Sequence, residues 1–333
     1  MTTFSKKQIN FYTISPKDEG QRIDNLLLKI LKGVPKSHIY RIIRNGEVRI
    51  NKKRVTALSK VMLNDIIRIP PIEIMESIQP QKTHIPKVEF PIIFEDEYFL
   101  IINKPEGIAC HGGSGVSFGV IEILRNNKPE YKFLELVHRL DRDTSGLLIL
   151  AKKRNALVEL QNLIRNNLVA KYYLALTVGS WSESSRNLKA PLHKYLTQSG
   201  ERRVSVNHES GQYAQTIFTK LTSNENYTLV KADLKTGRTH QIRVHLQYIG
   251  HPIVGDTKYG DENINKSLAK IGLKRMFLHA YEIKFTHPIT QQNMCLKATL
   301  PESLTKFFTV LQLNINKNID GCEMNNRKIV DDH

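Results

Sequence analysis

The chain has 333 residues, with 49 Lys and Arg against 32 Asp and Glu and a net charge of +17. That length predicts two domains at roughly 100–200 residues each, and 40% apolar residues with a mean hydropathy of -0.34 exclude a disordered chain. The longest apolar stretch, 146–151, is far short of the ~20 residues of a membrane span. Residues 1–15 lack the continuous apolar segment of a secretory signal. Three cysteines (Cys110, Cys295, Cys322) are too few and scattered for a disulfide framework or zinc ribbon. A reducing, cytoplasmic setting is therefore expected.

Charge is unevenly placed. Residues 20–70 hold 12 Lys and Arg against 3 Asp and Glu, whereas residues 91–311 hold 29 against 20. The excess is +9 in both, so the first segment is about four times denser in positive charge. Such a patch suits a polyanionic partner.

Residues 20–70 read as a small α/β module. Ile23, Leu26, Leu27, Ile30 and Leu31 form one apolar helix face, ended by Gly33 and Pro35. A second helix is expected from an N-cap at Ser37 to Asn45-Gly46. Its inner face is Ile39, Ile42 and Ile43, and its outer face carries Ser37, Arg41 and Arg44. A strand at 48–50 runs into the basic turn Asn51-Lys52-Lys53-Arg54, and 65–69 reads as a later strand. Arg41, Arg44, Lys52, Lys53 and Arg54 together make a cationic surface able to grip a phosphate backbone.

Prolines 70, 71, 80, 86 and 91 mark residues 71–90 as an interdomain linker. From 91 to 311, buried-strand candidates (99–102, 147–150), a helix around Leu157, Leu160 and Ile164, and a strand at 172–178 do not alternate strictly. This predicts an α+β domain with a mixed, mainly antiparallel sheet. Residues 312–333, polar and Asn-rich, read as a disordered tail.

The sharpest local feature is His138-Arg139-Leu140-Asp141-Arg142-Asp143-Thr144-Ser145-Gly146, an acid flanked by arginines just before a buried strand. The residues alone fit either a cleft carboxylate or an Arg/Asp ion-pair turn. A metal held by Asp141 and Asp143 lacks further ligands at useful spacing. In Gly237-Arg238-Thr239-His240-Gln241-Ile242-Arg243-Val244-His245, a turn leads into a helix expected to be capped by Thr239. His240 and His245 lie on different faces of it, which speaks against a metal pair. The glycines around His111, in His111-Gly112-Gly113-Ser114-Gly115, lack the strand–turn–helix setting of a dinucleotide fingerprint.

These segments carry a resemblance. The N-terminal module, through Gly46 to Lys52, resembles the αL RNA-binding motif of a small-ribosomal-subunit protein and of several RNA-modifying enzymes. His138 to Gly146 matches the HRLDxxTSG signature of the RluA family of RNA pseudouridine synthases. Asn103-Lys104-Pro105-Glu106-Gly107, Lys171-Tyr172-Tyr173, Gly237 to His245, His251-Pro252-Ile253 with Gly255-Asp256, and Leu278-His279-Ala280 continue that family's pattern in order. The His111 segment, with Ser117-Phe118-Gly119, is similar to the RluC branch, which modifies large-subunit 23S ribosomal RNA. The resemblance spans about residues 15–311.

It implies isomerisation of uridine to pseudouridine without a cofactor or metal. Asp141 would be the essential residue, as base toward a glycal or as nucleophile at the anomeric carbon, an alternative the sequence leaves open. Tyr173 would lie against the flipped base and assist the final proton removal, and Arg243 would hold Asp141. Arg139 would fill the space the base leaves. Arg238, His240, Gln241 and His111 would contact RNA. The implied partner is large-subunit ribosomal RNA or its assembly intermediates, met by a monomer. Rival readings are a synthase for another RNA, such as tRNA, and a non-catalytic ribosome-associated binder.

Overall fold

A computed structural model describes residues 8–16, 18–31, 34–72, 86–113, 118–198, 200–311 and 313. The chain divides into two compact units, Met1–His84 and Ile85–His333.

The first unit runs β1 (Asn10–Thr13), α1 (Ile23–Ile30), α2 (Lys36–Arg44), β2 (Arg49–Ile50), β3 (Lys53–Arg54) and β4 (Ile66–Ile69). Its antiparallel sheet has the order β1-β4-β2-β3. Both helices lay their apolar faces on it, with Leu26, Leu27, Ile39, Ile42, Ile67 and Ile69 in one core. The unit thus starts before residue 20, because β1 supplies the edge partner of β4. Ser37 is not the N-cap: α2 starts after Pro35, with no side-chain cap, since the fixed φ of Pro35 already sets the entry. Gly33 lies outside the described residues. The basic turn is a hairpin in which Asn51 and Lys52 both take positive φ, 49° and 66°, the geometry that matches the twist of paired strands.

Two buried carboxylates fasten this unit. Asp24 accepts from Arg22, Tyr40 and the backbone of Asn25. Asp18 accepts from Lys29 Nζ (2.7 Å), Tyr12 Oη (2.8 Å) and Ser15 Oγ (3.0 Å). The Lys29 hydrogen bond, then that of Tyr12, lowers the Asp18 carboxyl to about 2.

The second unit runs β5 (Ile92–Glu95), β6 (Phe99–Lys104), α3 (Val120–Asn127), β7 (Glu135–Leu136), β8 (Ser145–Ala151), α4 (Arg154–Arg165), β9 (Ala170–Val178) and β10 (Ser185–Lys189). There follow β11 (Leu192–Leu196), β12 (Arg202–Val206), β13 (Gln215–Ser223), β14 (Tyr227–Leu234), α5 (Gln241–Tyr248), α6 (Glu262–Lys270), β15 (Leu278–Thr286), β16 (Asn293–Lys297) and α7 (Glu302–Val310). The main sheet has the order β10-β13-β14-β9-β15-β8-β6-β5, with β16 beside β15 and β7 beside β8. Among the described residues only β8 and β15 pair in parallel, so the sheet is mixed and mainly antiparallel. β11 and β12 form a separate ribbon.

The apolar runs of β6 and β8 follow from burial on both faces. Leu100, Ile102, Leu148 and Leu150 pack with α3 and α5, while Phe99, Ile101, Leu147 and Ile149 pack with Leu160 of α4. The ends of the 71–90 segment belong to the folded units: Ile72 joins the first core, and Val88 and Phe90 the second. Residues 73–85 lie outside the described residues. At the C-terminus Leu313 packs into the cluster of α6 and α7, so the tail does not begin at 312; residues 314–333 lie outside the description. No helix among the described residues is long and apolar enough to cross a membrane.

Gly146 opens β8 at φ +111°, and a Cβ there would fall 2.2 Å from the Ala280 carbonyl oxygen. The parallel pairing of β8 with β15 therefore requires glycine. Gly146→Ala is expected to cost at least about 2 kcal/mol through strain and overpacking, read as a lower urea midpoint. In the first unit, Asp18 has an ordinary value of 3.8 and a folded value of about 2. Its stabilising contribution is complete above pH 3.8 and disappears as pH falls through about 2. Asp18→Asn is expected to remove that part of the acid transition in a circular-dichroism titration.

Candidate active site

The loop between β7 and β8 carries the acid and is tied down on several sides. Val137 N donates to Ile149 O (3.1 Å), and His138 Nε2 accepts from Ile149 N (3.2 Å). Burial first, then the charge of Lys171, pushes His138 down to about 3, so it is a neutral acceptor. The Cys110 thiol donates to Leu140 O (3.2 Å) and accepts from Leu140 N (3.1 Å). Lys104, fully buried, donates to Pro105 O (2.7 Å), Ile108 O (2.8 Å) and Arg142 O (3.1 Å). Burial brings its ammonium down to about 8. The Lys-Pro turn thus clamps the backbone one residue past Asp141.

Behind the loop, Ser145 Oγ accepts from Arg275 (2.7 Å) and contacts His279 Nδ1 (2.9 Å), while Arg275 also pairs with Glu106 (2.6 Å). Burial holds His279 at about 4, so a neutral ring takes the Ser145 proton.

Arg243 comes from the first turn of α5. Its Nε and one terminal nitrogen grip Asp256 at 2.7 and 2.8 Å, and its other terminal nitrogen donates to Asp141 Oδ2 at 3.1 Å. The guanidinium also lies over the Tyr259 ring, 5.0 Å from the centroid. Burial by itself would lower the Arg243 pKa, but Asp256 and then Asp141 more than offset it, and the net shift is upward. Asp256 accepts in addition from the backbone of Lys258 and Tyr259. Burial opposes its charge, yet Arg243 and those amides hold its carboxyl below the usual range. A planar fork anchored on one carboxylate and presenting its free edge to a second is an arrangement lysine cannot reproduce.

His240 enters α5 in the left-handed conformation, φ 55°. Tyr259 Oη accepts from Val204 N and lies 2.8 Å from His240 Nδ1. His240 Nε2 lies 3.8 Å from Asp141 Oδ2. Burial lowers the pKa of this imidazole, against the charge of Asp141.

These groups surround a cavity of about 220 Å³ lined by Arg139, Asp141, Lys171, Tyr173, Arg238, His240 and Arg243, among others. Tyr173 is nearly buried, and burial, then the charge of Asp141, raises its pKa. Among the described residues no group of three His, Cys, Asp or Glu is placed to hold a metal.

Comparison with known proteins identifies the family. The RNA pseudouridylate synthase family matches residues 98–248 and the S4 domain matches residues 21–67. Over 308 residues the chain is 50% identical to the ribosomal large subunit pseudouridine synthase C of Pasteurella multocida (strain Pm70), covering 91% of this chain and 94% of that protein. The chain belongs to the RluA family of RNA pseudouridine synthases. The like-named protein of Escherichia coli (strain K12) is 48% identical over 304 residues, 90% of this chain and 95% of that one. A solved structure, human RNA pseudouridylate synthase domain containing 4, is 27% identical with a TM-score of 0.56, covering 67% of this chain and 94% of that one.

The synthase therefore gathers Asp141, Tyr173, Arg243, Arg139, Arg238, His240 and Gln241 around one cavity, with Arg139 and Arg238 exposed at its rim. Two expectations need correcting. Gln241 has no hydrogen-bonding capacity left for RNA. Its amide nitrogen donates to Gln215 O and Thr216 Oγ1, and its oxygen accepts from Thr236 Oγ1 and Arg238 N. All four positions are taken, so Gln241 shapes the Arg238 turn from beneath. Thr239 does not cap α5, which starts without a side-chain cap; Gln241 organises the entry turn instead. His111 is exposed on the loop before α3 and does not line the cavity. Glu122 ties that loop through Gly112 N and Gly119 N; residues 114–117 lie outside the described residues. His245 is a core residue, held between Thr216 and Ala190.

In the S4 unit, Arg41, Arg44, Lys52, Lys53 and Arg54 are all exposed, and Arg44 and Arg54 border a surface hollow with Tyr40, Ile43 and Val55. Sequence reasoning assigned no work to Lys104, Cys110, Asp256, Tyr259 or Arg275. Asp256 had a visible signal, an acid beside the Gly255 turn, but nothing in its spacing names Arg243.

Asp256 and Asp141 should differ in what their loss costs. Asp256→Ala strands a buried guanidinium and is expected to lower stability by about 3–5 kcal/mol. Asp141→Asn leaves Arg243 paired and should change stability by less than about 1 kcal/mol while abolishing turnover. Urea unfolding of both variants, alongside activity, checks the contrast.

Proposed function

We propose that this synthase converts specific uridines of large-subunit ribosomal RNA, free or in an assembly particle, to pseudouridine in the cytoplasm, acting as a monomer. The observation that carries the reading is Asp141 Oδ2 held 3.1 Å from Arg243 in the cavity. The large-subunit substrate is taken from the names of the relatives at about half identity.

The S4 unit docks structured RNA through Arg41, Arg44, Lys52, Lys53 and Arg54, reading shape and phosphate rather than base edges. A cavity of about 220 Å³ admits a base but no duplex, so the target uridine leaves its stack at a cost of a few kcal/mol. Arg139, at the rim, fills the vacated space, and Arg238 meets phosphate. His111, on its exposed loop, is a secondary RNA contact.

Inside, Arg243 aims the Asp141 carboxylate at the sugar, where it acts as base at C2′ or nucleophile at C1′. The C1′–N1 bond breaks, the base turns, and C5 joins C1′. The isomerisation neither oxidises nor hydrolyses in net terms, so no cofactor is called for. Tyr173 keeps its phenolic proton, because burial and Asp141 both oppose its loss. This favours contact with the base over removal of its final proton.

The purified protein is expected to release tritium from unmodified large-subunit ribosomal RNA labelled at uridine C5, and Asp141→Ala to release none. Release that survives Asp141→Ala overturns the role of the acid, and release only from another RNA overturns the substrate. Replacing Arg41, Arg44, Lys52, Lys53 and Arg54 by glutamine should flatten the salt dependence of RNA binding. The log–log slope should fall by about 0.7–0.9 for each phosphate no longer neutralised.

A further inference from the structure

Successive residues of β9 point to opposite faces of the sheet. Tyr172 lies on one face, beneath the ammonium groups of Lys231 (4.6 Å to the ring centroid) and Lys284 (5.7 Å). Lys171 and Tyr173 lie on the other, and both line the cavity that holds Asp141. Other lysines of this unit withdrawn from solvent have evident partners. Lys104 is capped by three carbonyls, Lys152 binds Glu95 and Asp96 O (both 2.7 Å), and Lys220 binds Trp181 O (2.7 Å). Lys171 differs. Half-buried, its ammonium is held by no hydrogen bond or ion pair among the described residues. Asp233, the carboxylate whose charge reaches it, is bound instead to Lys235 at 2.6 Å. Burial lowers the Lys171 pKa and Asp233 offsets this only in part. An unpaired, partly desolvated ammonium lining a reaction cavity is poised to bond a group that arrives with the substrate.

Resting on the pseudouridine synthase activity, we propose that Lys171 is a catalytic residue whose ammonium donates a hydrogen bond to a uracil carbonyl oxygen and stabilises the negative charge the base acquires on leaving the sugar. At the exposed rim Arg238 meets phosphate and Arg139 fills the space the base vacates; Lys171 shares the interior with Tyr173 and meets the base. When C1′–N1 breaks, the bonding pair stays with the base, which becomes an anion delocalised over N1 and the carbonyl oxygens. The sugar either loses its C2′ proton to Asp141, giving the glycal, or forms an ester with Asp141. C5 then bonds to C1′ as the glycal takes its proton back from Asp141 at C2′, or as the ester C1′–O bond breaks and frees the Asp141 carboxylate; the C5 proton departs, and N1 regains a proton. Lys171 remains protonated throughout, so its contribution is the same on both routes. Its hydrogen bond strengthens as charge develops, so it acts on the bond-breaking step more than on RNA binding.

The test uses the full chain and the RNA from which the parent protein releases tritium, measuring single-turnover rate and RNA dissociation constant separately. Lys171→Met is expected to slow the single-turnover rate about 100-fold, with an unchanged melting temperature and a dissociation constant within about threefold of the parent. Lys171→Arg, which keeps the charge, should recover about tenfold or more of that loss. Ethylammonium should restore the rate of Lys171→Ala in a saturable manner and leave Asp141→Ala inactive. The proposal is overturned if Lys171→Met turns over at the parent rate, or if the whole loss lies in RNA affinity. Failure of the amine to accelerate a folded Lys171→Ala overturns it as well. If Lys171→Met fails to fold, the arginine and amine-rescue arms decide. If the parent releases tritium only from an RNA other than ribosomal RNA, the substrate assignment fails while the same variants test Lys171 on that RNA.

Discussion

The Asp256–Arg243–Asp141 chain is the constraint on which the rest of the catalytic unit depends. A guanidinium this deeply buried is tolerable only with its charge compensated and its donors occupied. Asp256, fixed by two backbone amides, takes one edge of the fork. The orientation of the other edge then follows from the planarity of the group. The Asp141 carboxylate thus meets its donor in the free protein, before any ligand enters the cavity. Asp141 stays partly open to the cavity, whereas Asp256 does not. One acid is therefore enclosed by the protein, and the other faces the cavity.

The Asp141 loop is held with comparable care, and by unrelated chemistry on each side. A lysine surrounded by carbonyls, a thiol bonded both ways to Leu140, and a neutral histidine accepting from β8 fix its backbone. Arg275 and Ser145 then join the start of β8 to the turn containing Glu106. Lys104, His138 and His279 are all shifted toward their neutral forms by burial. Only Lys104 has a cage of acceptors suited to a cation; the two histidines serve as neutral hydrogen-bonding rings. The same sheet that buries both faces of β6 and β8 supplies the rigidity for these contacts.

The S4 unit follows different rules. Arg41, Arg44, Lys52, Lys53 and Arg54 are exposed, and its two organising carboxylates are buried. Asp18 and Asp24 are compensated by Lys29, Arg22 and tyrosine hydroxyls. This leaves the outward arginines and lysines of α2 and the β2–β3 hairpin for a phosphate backbone. The hairpin turn places Lys52 at positive φ, a local strain at the tip of the basic surface.

The class of fold, the division of charge between two units and the segment that carries the acid are all legible in the residues alone. These rest on local signals: helix periodicity in 23–31, doubly apolar strands at 99–102 and 147–150, and a short motif around Asp141. Local signals could not show that the fork of Arg243 is anchored on Asp256, that Gln241 is fully occupied inside the protein, or that His111 stands apart from the cavity. Nor could they separate Lys104, caged by carbonyls, from Lys171, which has no partner among the described residues. The reason is physical. Whether a polar side chain is structural or reactive depends on which donors and acceptors remain unfilled after folding, and those partners come from distant strands. Asp141 and Arg243 are 102 residues apart, and only closure of the sheet brings β8, β9 and α5 around one carboxylate.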